Sequence, residues 1–472
     1  MHLHHHTPLP PARNGIADYA ARVNDALAGR VALTCVNENP FSVVPQGVEI
    51  TDPMQIDRQD DAGAIPLYQI GNNGDHAGIF REALRRPGVV VLHDLRLFYL
   101  HELMNLPRHT FEAMMRVSNP IMARLRADDV VRKSRKFGTD YSVFDMVWGV
   151  LQRSRGIVVH SDYARSVLLR NYGAALADRI AVIPHFAIAP KPTDVAAVRA
   201  RLGLGEDTRL IVTSGFATKV KRFDWVADAV KALIAAGHDV HWLHAGAEKR
   251  EEFDLTGLID ADERLARHAT ITGFLSEEDL DEYISAADVV INLRFPSVGE
   301  SSGTLARALA AGRCCLVTKT AAYDSYPDNV VVKVPPFDAA NGLYAPLEAL
   351  LRAPEARAAF GANARRYCDS RLSMENYVAD LLEVCEAAAT RAPLSAVSPF
   401  ERKADGDILD LGRFPVDALD LGAVERGLPK EFMLRSLQLN AEADGSITVE
   451  AIGLDARRRM WQAETDGGRT GA

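Results

Sequence analysis

Two segments in the second half of the chain combine small, basic and hydroxyl residues in a pattern suited to holding a phosphate. The first is SGFATKVKRFD, 214–224, which lies between a strand-like run and a helix-like run. Gly215 lets the backbone turn, and Lys219, Lys221 and Arg222 gather cations where a strand ends and a helix begins. Charge and oriented backbone N–H groups there both favour a diphosphate. A solvated basic turn has the same composition. The second segment is PSVGESSGTLARALAAG, 296–312. Ser301, Ser302, Gly303 and Thr304 open a helix with small side chains and free N–H groups, and Glu300 places a carboxylate beside them that can accept from sugar hydroxyls. An ordinary Ser N-cap would read the same way.

The first half offers a looser set. His93 and Asp94 follow the apolar run VVVL, and an imidazole at a strand end can bond a sugar hydroxyl or an acceptor. The alternative is a core-edge His paired with Asp94. Asn72 and Asn73 follow IPLYQI within Gly-Asn-Asn-Gly, which is turn chemistry but can also read hydroxyls. His185 is a weaker candidate, and His101, beside aromatics on a helix, reads as structural.

These residues need a scaffold, and the hydrophobic pattern supplies one. Strand-like runs (VALTCV, IPLYQI, VVVL, IVVHS, RIAVIP, RLIVTSG, VHWLHAG, VVINLRF, CCLVTK, VVVKVP) alternate with helix-like segments. Such alternation predicts parallel sheets covered by helices, with ligands beyond the C-terminal strand ends. Residues 98–152 read as mostly helical. MHLHHH makes a poor first strand, since an apolar run before Pro8 is missing. Pro184, Pro190 and Pro192 mark a boundary, so the expected domains are 1–190, 191–389 and an extension at 390–472. In the extension, MLRSLQL and SITVEAIG read as short strands or a hairpin, and the last ten residues read as disordered.

Composition narrows the function. The chain has 472 residues and a formal charge of −9, so a broad nucleic-acid surface is excluded and any positive charge for an anionic ligand must be local. Five cysteines lack zinc-like spacing and read as buried free thiols. No apolar run approaches the roughly 18 residues of a membrane span. A cytoplasmic protein, with or without peripheral membrane contact, is expected. The region with Met104, Met114, Met115, Arg116, Arg124 and Arg126 permits that contact, although packing explains it too.

Taken together, the two phosphate-type segments resemble the donor domain of retaining family 4 glycosyltransferases, which have the GT-B fold. GFATKVKR is similar to that family's Gly-Arg/Phe…Lys segment, and VGESSGTLARALAAG to its Glu-rich segment. DVHWLHAG and ATITGFLSEEDLDEYISAADVVIN resemble the stretch between them. PLPPARNGIADYAARVNDAL resembles the opening loop and first helix, and QIGNNGDHAGIFREALRRPGVVVLHDLRLFYLHEL resembles a subgroup. The resemblance covers about residues 7–388. It implies a GT-B fold, two Rossmann-like domains facing a cleft, and a C-terminal tail.

The resemblance also implies roles. Lys221 would bind the donor diphosphate, Glu300 would contact the transferred sugar, and His93 would sit near that sugar. Gly15 would approach the diphosphate, and Gly273, Phe274 and Leu275 would flank the base. Phe216 stands where many members have a second phosphate-binding Arg, with Lys219 and Arg222 as candidate substitutes. Arg307 stands where the second motif Glu, which holds the ribose, is expected. The implied activity is transfer from a nucleotide-sugar, as co-substrate rather than cofactor, to a glycan, lipid-linked or protein acceptor, with retention and without metal. An epimerase or phosphorylase of the same fold, or a catalytically silent nucleotide-sugar-binding protein, are the alternatives.

Overall fold

A computed structural model of the chain describes residues 1–12, 14–56, 63–106, 108–337, 339–394, 407–415, 428, 432–441 and 446–455. Its first sheet has seven parallel strands: β1 (His2–His6), β2 (Ala32–Val36), β3 (Glu49–Thr51), β4 (Ile65–Ile70), β5 (Val89–Leu92), β6 (Gly156–Val159) and β7 (Ile180–Val182). They run in the order β3-β2-β1-β4-β5-β6-β7. The second sheet has six parallel strands: β8 (Arg209–Ser214), β9 (Val240–Ala245), β10 (Ala269–Ile271), β11 (Val289–Asn292), β12 (Cys314–Thr318) and β13 (Val332–Val334). Their order is β10-β9-β8-β11-β12-β13. In both sheets the order reverses beside the first strand, between β1 and β4 and between β8 and β11. Loops leave such a point in opposite directions and open a crevice at the C-terminal strand ends.

Both faces of the second sheet are covered, as the alternation of its strands requires. Ile211, Trp242, Val289 and Ile291 pack with helix Phe223–Ala235 and with Leu343 and Leu347, while Leu210, Val212, Leu243 and Val290 pack with helix Gly303–Ala310 and Ala364. In the first sheet, Leu3, Leu67, Val89, Val91 and Val158 share a core with Tyr19, Val23 and Leu27 of helix Gly15–Leu27. The last long helix, Met374–Thr390, enters that same core through Tyr377, Val378, Leu381 and Cys385. The chain therefore returns to the first sheet after completing the second.

The predicted alternation matches these strands closely, with one clear correction. His2–His6 of MHLHHH form β1, an interior strand hydrogen-bonded in register with β2 and β4. No apolar run is needed because neighbours on both sides engage the rings of His2, His5 and His6. His5 Nδ1 lies 2.6 Å from Asn24 Oδ1 and its Nε2 2.9 Å from Gln69 Nε2. His2 Nε2 meets Thr34 Oγ1 at 2.9 Å, and the His6 ring packs on Tyr68 at 4.6 Å between centroids. Strands β3 and β10 are three-residue pieces that carry too little pattern to be read.

The chain divides into two compact units, Met1–Arg96 with Ser154–Ala392, and Leu97–Arg153 with Pro393–Ala472. Residues 97–153 are helical as expected, built on Phe98, Phe111, Met115, Phe144 and Met146. In the tail, β14 (Asp407–Pro415), β15 (Phe432–Ala441) and β16 (Ser446–Asp455) form an antiparallel sheet in the order β14-β16-β15. The two strands read from sequence are β15 and β16, and β14 is an addition. The final ten residues lie outside the described ones. All five cysteines are buried free thiols.

Burial makes the histidines acid-sensitive. It pushes His5, His76 and His160 down to about 4, from 6.5. A ring whose folded pKa is depressed stabilises the fold fully above 6.5 and loses that contribution as pH falls through the folded value. Each such ring costs about 1.4 kcal/mol per pH unit in that window. Asp94, raised to about 6 by burial, runs the opposite way and offsets a part. The melting temperature should therefore drop markedly between pH 7.5 and pH 5. A flat profile over that range would contradict a neutral, buried histidine strand.

Candidate functional site

The crevice between β8 and β11 collects the predicted phosphate segments. After Ser214, Gly215 turns with φ +81, and a Cβ there would stand 2.7 Å from Lys221 Nζ. The Lys221 ammonium donates to the Ser214 carbonyl at 2.9 Å. Burial, and then the nearby charge of Arg294, hold Lys221 well below the usual lysine range. On the β11 side, Ser302 caps helix Gly303–Ala310 by accepting from Leu305 N, and its hydroxyl also accepts from Asn292 Nδ2 at 2.8 Å. Its side chain is thereby spent on structure. The helix's first amides, at Gly303 and Thr304, have no intrahelical acceptor. Thr304 lies beside Gly215, since the same Cβ would meet Thr304 Cγ2 at 3.8 Å.

Glu300 is held by its own loop. Oε2 accepts from Val298 N at 2.9 Å and Ser297 Oγ at 3.1 Å, and Oε1 lies 3.7 Å from Arg294 Nε. Arg294 was not singled out from the sequence. The available signal was a cation two residues past the end of a buried strand, where a parallel sheet presents its ligands. Its Nη1 donates to Leu293 O at 2.9 Å and Asn292 Oδ1 at 3.3 Å.

Loops of the first sheet approach this crevice. Gly299, at φ +99, is so close to them that a Cβ would stand 2.7 Å from Leu95 Cδ1 and 2.9 Å from Tyr163 Cε1. A Cβ on Gly303 would lie 3.5 Å from His185 Nε2, which places that ring at the helix N-terminus. Asp94 accepts from Asn72 N at 2.8 Å and is raised to about 6, by burial first and with a contribution from the Glu300 charge. Asn73 caps a short turn through Asp75 N, and Asn14 Nδ2 donates to Asp75 Oδ2, which ties the opening loop before Gly15 to the loop after β4. Gly15 itself is exposed.

His93 belongs to a chain of buried polar groups that crosses the first sheet. Its Nε2 lies 2.7 Å from Gln69 Oε1, and its Nδ1 lies 3.2 Å from His160 Nε2. His160 Nδ1 lies 2.8 Å from the Ile183 carbonyl, which can only accept. His160 therefore carries its proton on Nδ1, and as a neutral ring it accepts from His93 Nδ1–H. With the carboxamides of Gln69 and Asn24 turned so that their NH2 groups face His93 and His5, every ring is neutral and each link has one donor. The opposite orientation would make His160 donate from both nitrogens and carry a charge, which its burial opposes. Both nitrogens of His93 are thus engaged within the protein. Tyr19 packs edge-on to that ring at 4.8 Å.

The remaining sequence candidates have surroundings of their own. Arg222 is paired with Asp224 at 2.5 Å and lies 4.2 Å over the Trp225 ring. Lys219 opens the short 3-10 turn Lys219–Lys221 and is exposed, and Ser301 lies on the loop before Ser302. Phe216 is 42% exposed, and Lys249 lies 5.6 Å from its ring. Gly273 is left-handed at φ +76, Phe274 is exposed, and Leu275 packs partly against the second core. Arg307 is matched by two carboxylates, Asp281 Oδ1 at 2.6 Å and Glu277 Oε1 at 3.0 Å. Glu277 also binds Arg22 at 2.7 Å, an exposed link between the two sheets' helices that contributes little stability. His101 donates to Leu97 O at 2.7 Å and is buried, as a structural residue would be. Among the described residues, no group of three or more His, Cys, Asp or Glu side chains is placed to hold a metal.

Comparisons with known proteins bear on the fold. Residues 207–353 match the family of glycosyl transferases group 1, so the second sheet is a domain of that type. No curated protein sequence matches the chain significantly. Among solved structures, Anabaena Alr3699/HepE in complex with UDP and glucose superposes with a TM-score of 0.57 at 14% identity, covering 82% of this chain and 100% of that one. WaaG, a glycosyltransferase involved in lipopolysaccharide biosynthesis, gives 0.54 at 15% identity, covering 81% and 98%. The sucrose-phosphate synthase from Thermosynechococcus elongatus gives 0.55 at 16% identity, covering 81% and 98%. The fold is GT-B, with two Rossmann-like parallel sheets.

The crevice geometry makes Gly215 sensitive in a specific way. Gly215→Ala should cost roughly 1–2 kcal/mol for the left-handed backbone and further displace the Lys221 ammonium. Gly237→Ala, at φ +83 with nothing within 4 Å, is the control that carries only the backbone cost. Thermal melts of the two variants should differ, with Gly215→Ala the lower. Equal melting points would mean that Lys221 does not crowd that position.

Proposed function

We propose that the protein is a nucleotide-sugar-dependent glycosyltransferase that moves a hexosyl group onto a glycan or glycoconjugate acceptor with retention of anomeric configuration. The observation that carries this reading is the meeting of Lys221, the first amides of helix Gly303–Ala310 and Glu300 in one crevice, inside a segment matching glycosyl transferases group 1. A diphosphate leaving group gathers negative charge as its bond to the sugar breaks. The ammonium and the helix N-terminus would stabilise that charge without a resident metal.

The acceptor hydroxyl oxygen would bond to the anomeric carbon on the face the diphosphate leaves. The C–O bond to the diphosphate breaks, and a departing phosphate oxygen takes the hydroxyl proton. Glu300 would hold the sugar through its Oε1, which takes no hydrogen bond from its loop and lies 3.7 Å from Arg294 Nε. Gly273, Phe274 and Leu275 would flank the base, and Asn72 and Asp94 would face the acceptor side. The linker beyond His185 would act as the hinge for closure.

The acceptor would be a glycan, a lipid-linked saccharide or a protein, and the setting cytoplasmic or at a membrane surface. No helix among the described residues is long and apolar enough to cross a membrane. Val117, Ile121 and Leu125 are 52%, 73% and 69% exposed, which supports peripheral contact.

The test is titration with UDP-, GDP- and ADP-sugars, with product mass measured in the presence of candidate acceptors. The Anabaena neighbour's complex with UDP-glucose makes that sugar the first to try. Lys221→Ala should weaken donor binding by about tenfold or more, roughly 1.4 kcal/mol. Glu300→Gln should lose turnover while melting normally. Absence of any nucleotide or nucleotide-sugar binding by the wild type would remove the reading.

A further inference from the structure

A diphosphate carries more charge than one ammonium can match, and the second cation is not where the resemblance to family 4 glycosyltransferases would place it. Position 216 is Phe, Arg222 is neutralised by Asp224, and Lys219 is exposed on the turn. We propose that Arg294 is the second diphosphate-binding residue, acting with Lys221 as a two-cation clamp across the β8–β11 crevice. The proposal rests on the glycosyltransferase reading and names a binding residue within it.

Three observations support it. First, the backbone joins the two cations: Phe295 N donates to Val220 O at 2.7 Å, which binds the residue after Arg294 to the turn that carries Lys221. Second, Arg294 is rigidly held but not used up. Its N donates to Thr318 Oγ1 at 2.9 Å, its carbonyl accepts from Thr320 Oγ1 at 3.3 Å, and its Nη1 is fixed on Leu293 O and Asn292 Oδ1. Among the described residues Nη2 has no hydrogen-bond partner. The guanidinium thus keeps a donor in a fixed orientation, as phosphate recognition requires. Third, the local charges do not balance. Two cations share one carboxylate, Glu300, at 3.7 Å from Arg294 Nε, and Lys221 has no ion-pair partner among the described residues. Placing two like charges together in a largely buried crevice costs free energy that a bound anion would relieve. Asn292 links Arg294 to Ser302 at the helix cap, so the guanidinium, the ammonium and the free amides converge on one volume.

Calorimetry on the full chain with uridine, UMP and UDP, or the corresponding guanosine or adenosine series if that base binds, tests the clamp. Arg294→Gln should weaken the diphosphate by about tenfold or more. It should weaken the monophosphate less and leave the nucleoside within about twofold. Arg294→Lys should recover a large part of the loss, because charge rather than packing is at issue. Diphosphate binding by Arg294→Gln within about twofold of wild type overturns the proposal, as does an equal loss for nucleoside and diphosphate. If Arg294→Gln fails to fold, a crystal structure of the wild type with the diphosphate decides. A guanidinium more than about 4 Å from every phosphate oxygen overturns it, and direct contact supports it. If the wild type binds no nucleotide, the glycosyltransferase reading fails as well. If it binds and Arg294→Gln binds equally, only the role of Arg294 falls.

Discussion

In a parallel sheet every strand ends on the same edge, and the loops that leave two neighbouring strands normally turn the same way. Where the strand order reverses they turn apart, and the sheet is left with a crevice that its own chain does not fill. The second sheet reverses between β8 and β11. The turn carrying Lys221 leaves one of these strands and the loop carrying Arg294, Glu300 and Ser302 leaves the other. Separated by some 70 residues in the chain, these groups meet because the topology permits no other placement. The first sheet repeats the reversal between β1 and β4, where the loops before Gly15 and after Ile70 are tied through Asn14 and Asp75.

Charge is handled differently in the two sheets. The second gathers two basic side chains, Lys221 and Arg294, at its crevice, which suits an anionic ligand. The first holds one set of its polar groups neutral and paired with one another. Asn24, His5, Gln69, His93 and His160 form one directed chain from a helix across the sheet to the Ile183 carbonyl. Such a chain makes a polar core specific, because a slip of one residue in β1 would leave buried donors unpaired. It also settles what His93 can offer. With both nitrogens engaged, the ring has no hydrogen-bonding atom to offer a ligand unless the chain is opened.

Much of this was readable in the amino-acid sequence. Buried parallel strands are continuous β-branched runs, so IPLYQI, VVVL and RLIVTSG stand out, and helix starts are marked by Ser161, Ser276 and Ser302 at their caps. Lys221, Glu300 and Gly303 were visible because a glycine-rich turn and a small-residue helix start have distinctive compositions. Strand β1 was not, because a histidine can sit inside a strand only when partners such as Asn24 and Gln69, which engage His5, arrive from elsewhere. Arg294 was missed for a related reason: a lone arginine after a strand has no local pattern.

The sequence alone therefore determined the architecture and the phosphate-type segments, because hydrophobic period, turn residues and helix caps act over a few neighbouring residues. The tertiary structure decided which charged and polar groups remain available. Arg222 is consumed by Asp224, Ser302 by its cap and Asn292, Arg307 by Glu277 and Asp281, and His93 by Gln69 and His160. Availability depends on partners that the fold brings from distant positions, and hydrogen-bonding capacity used in one place cannot be used in another.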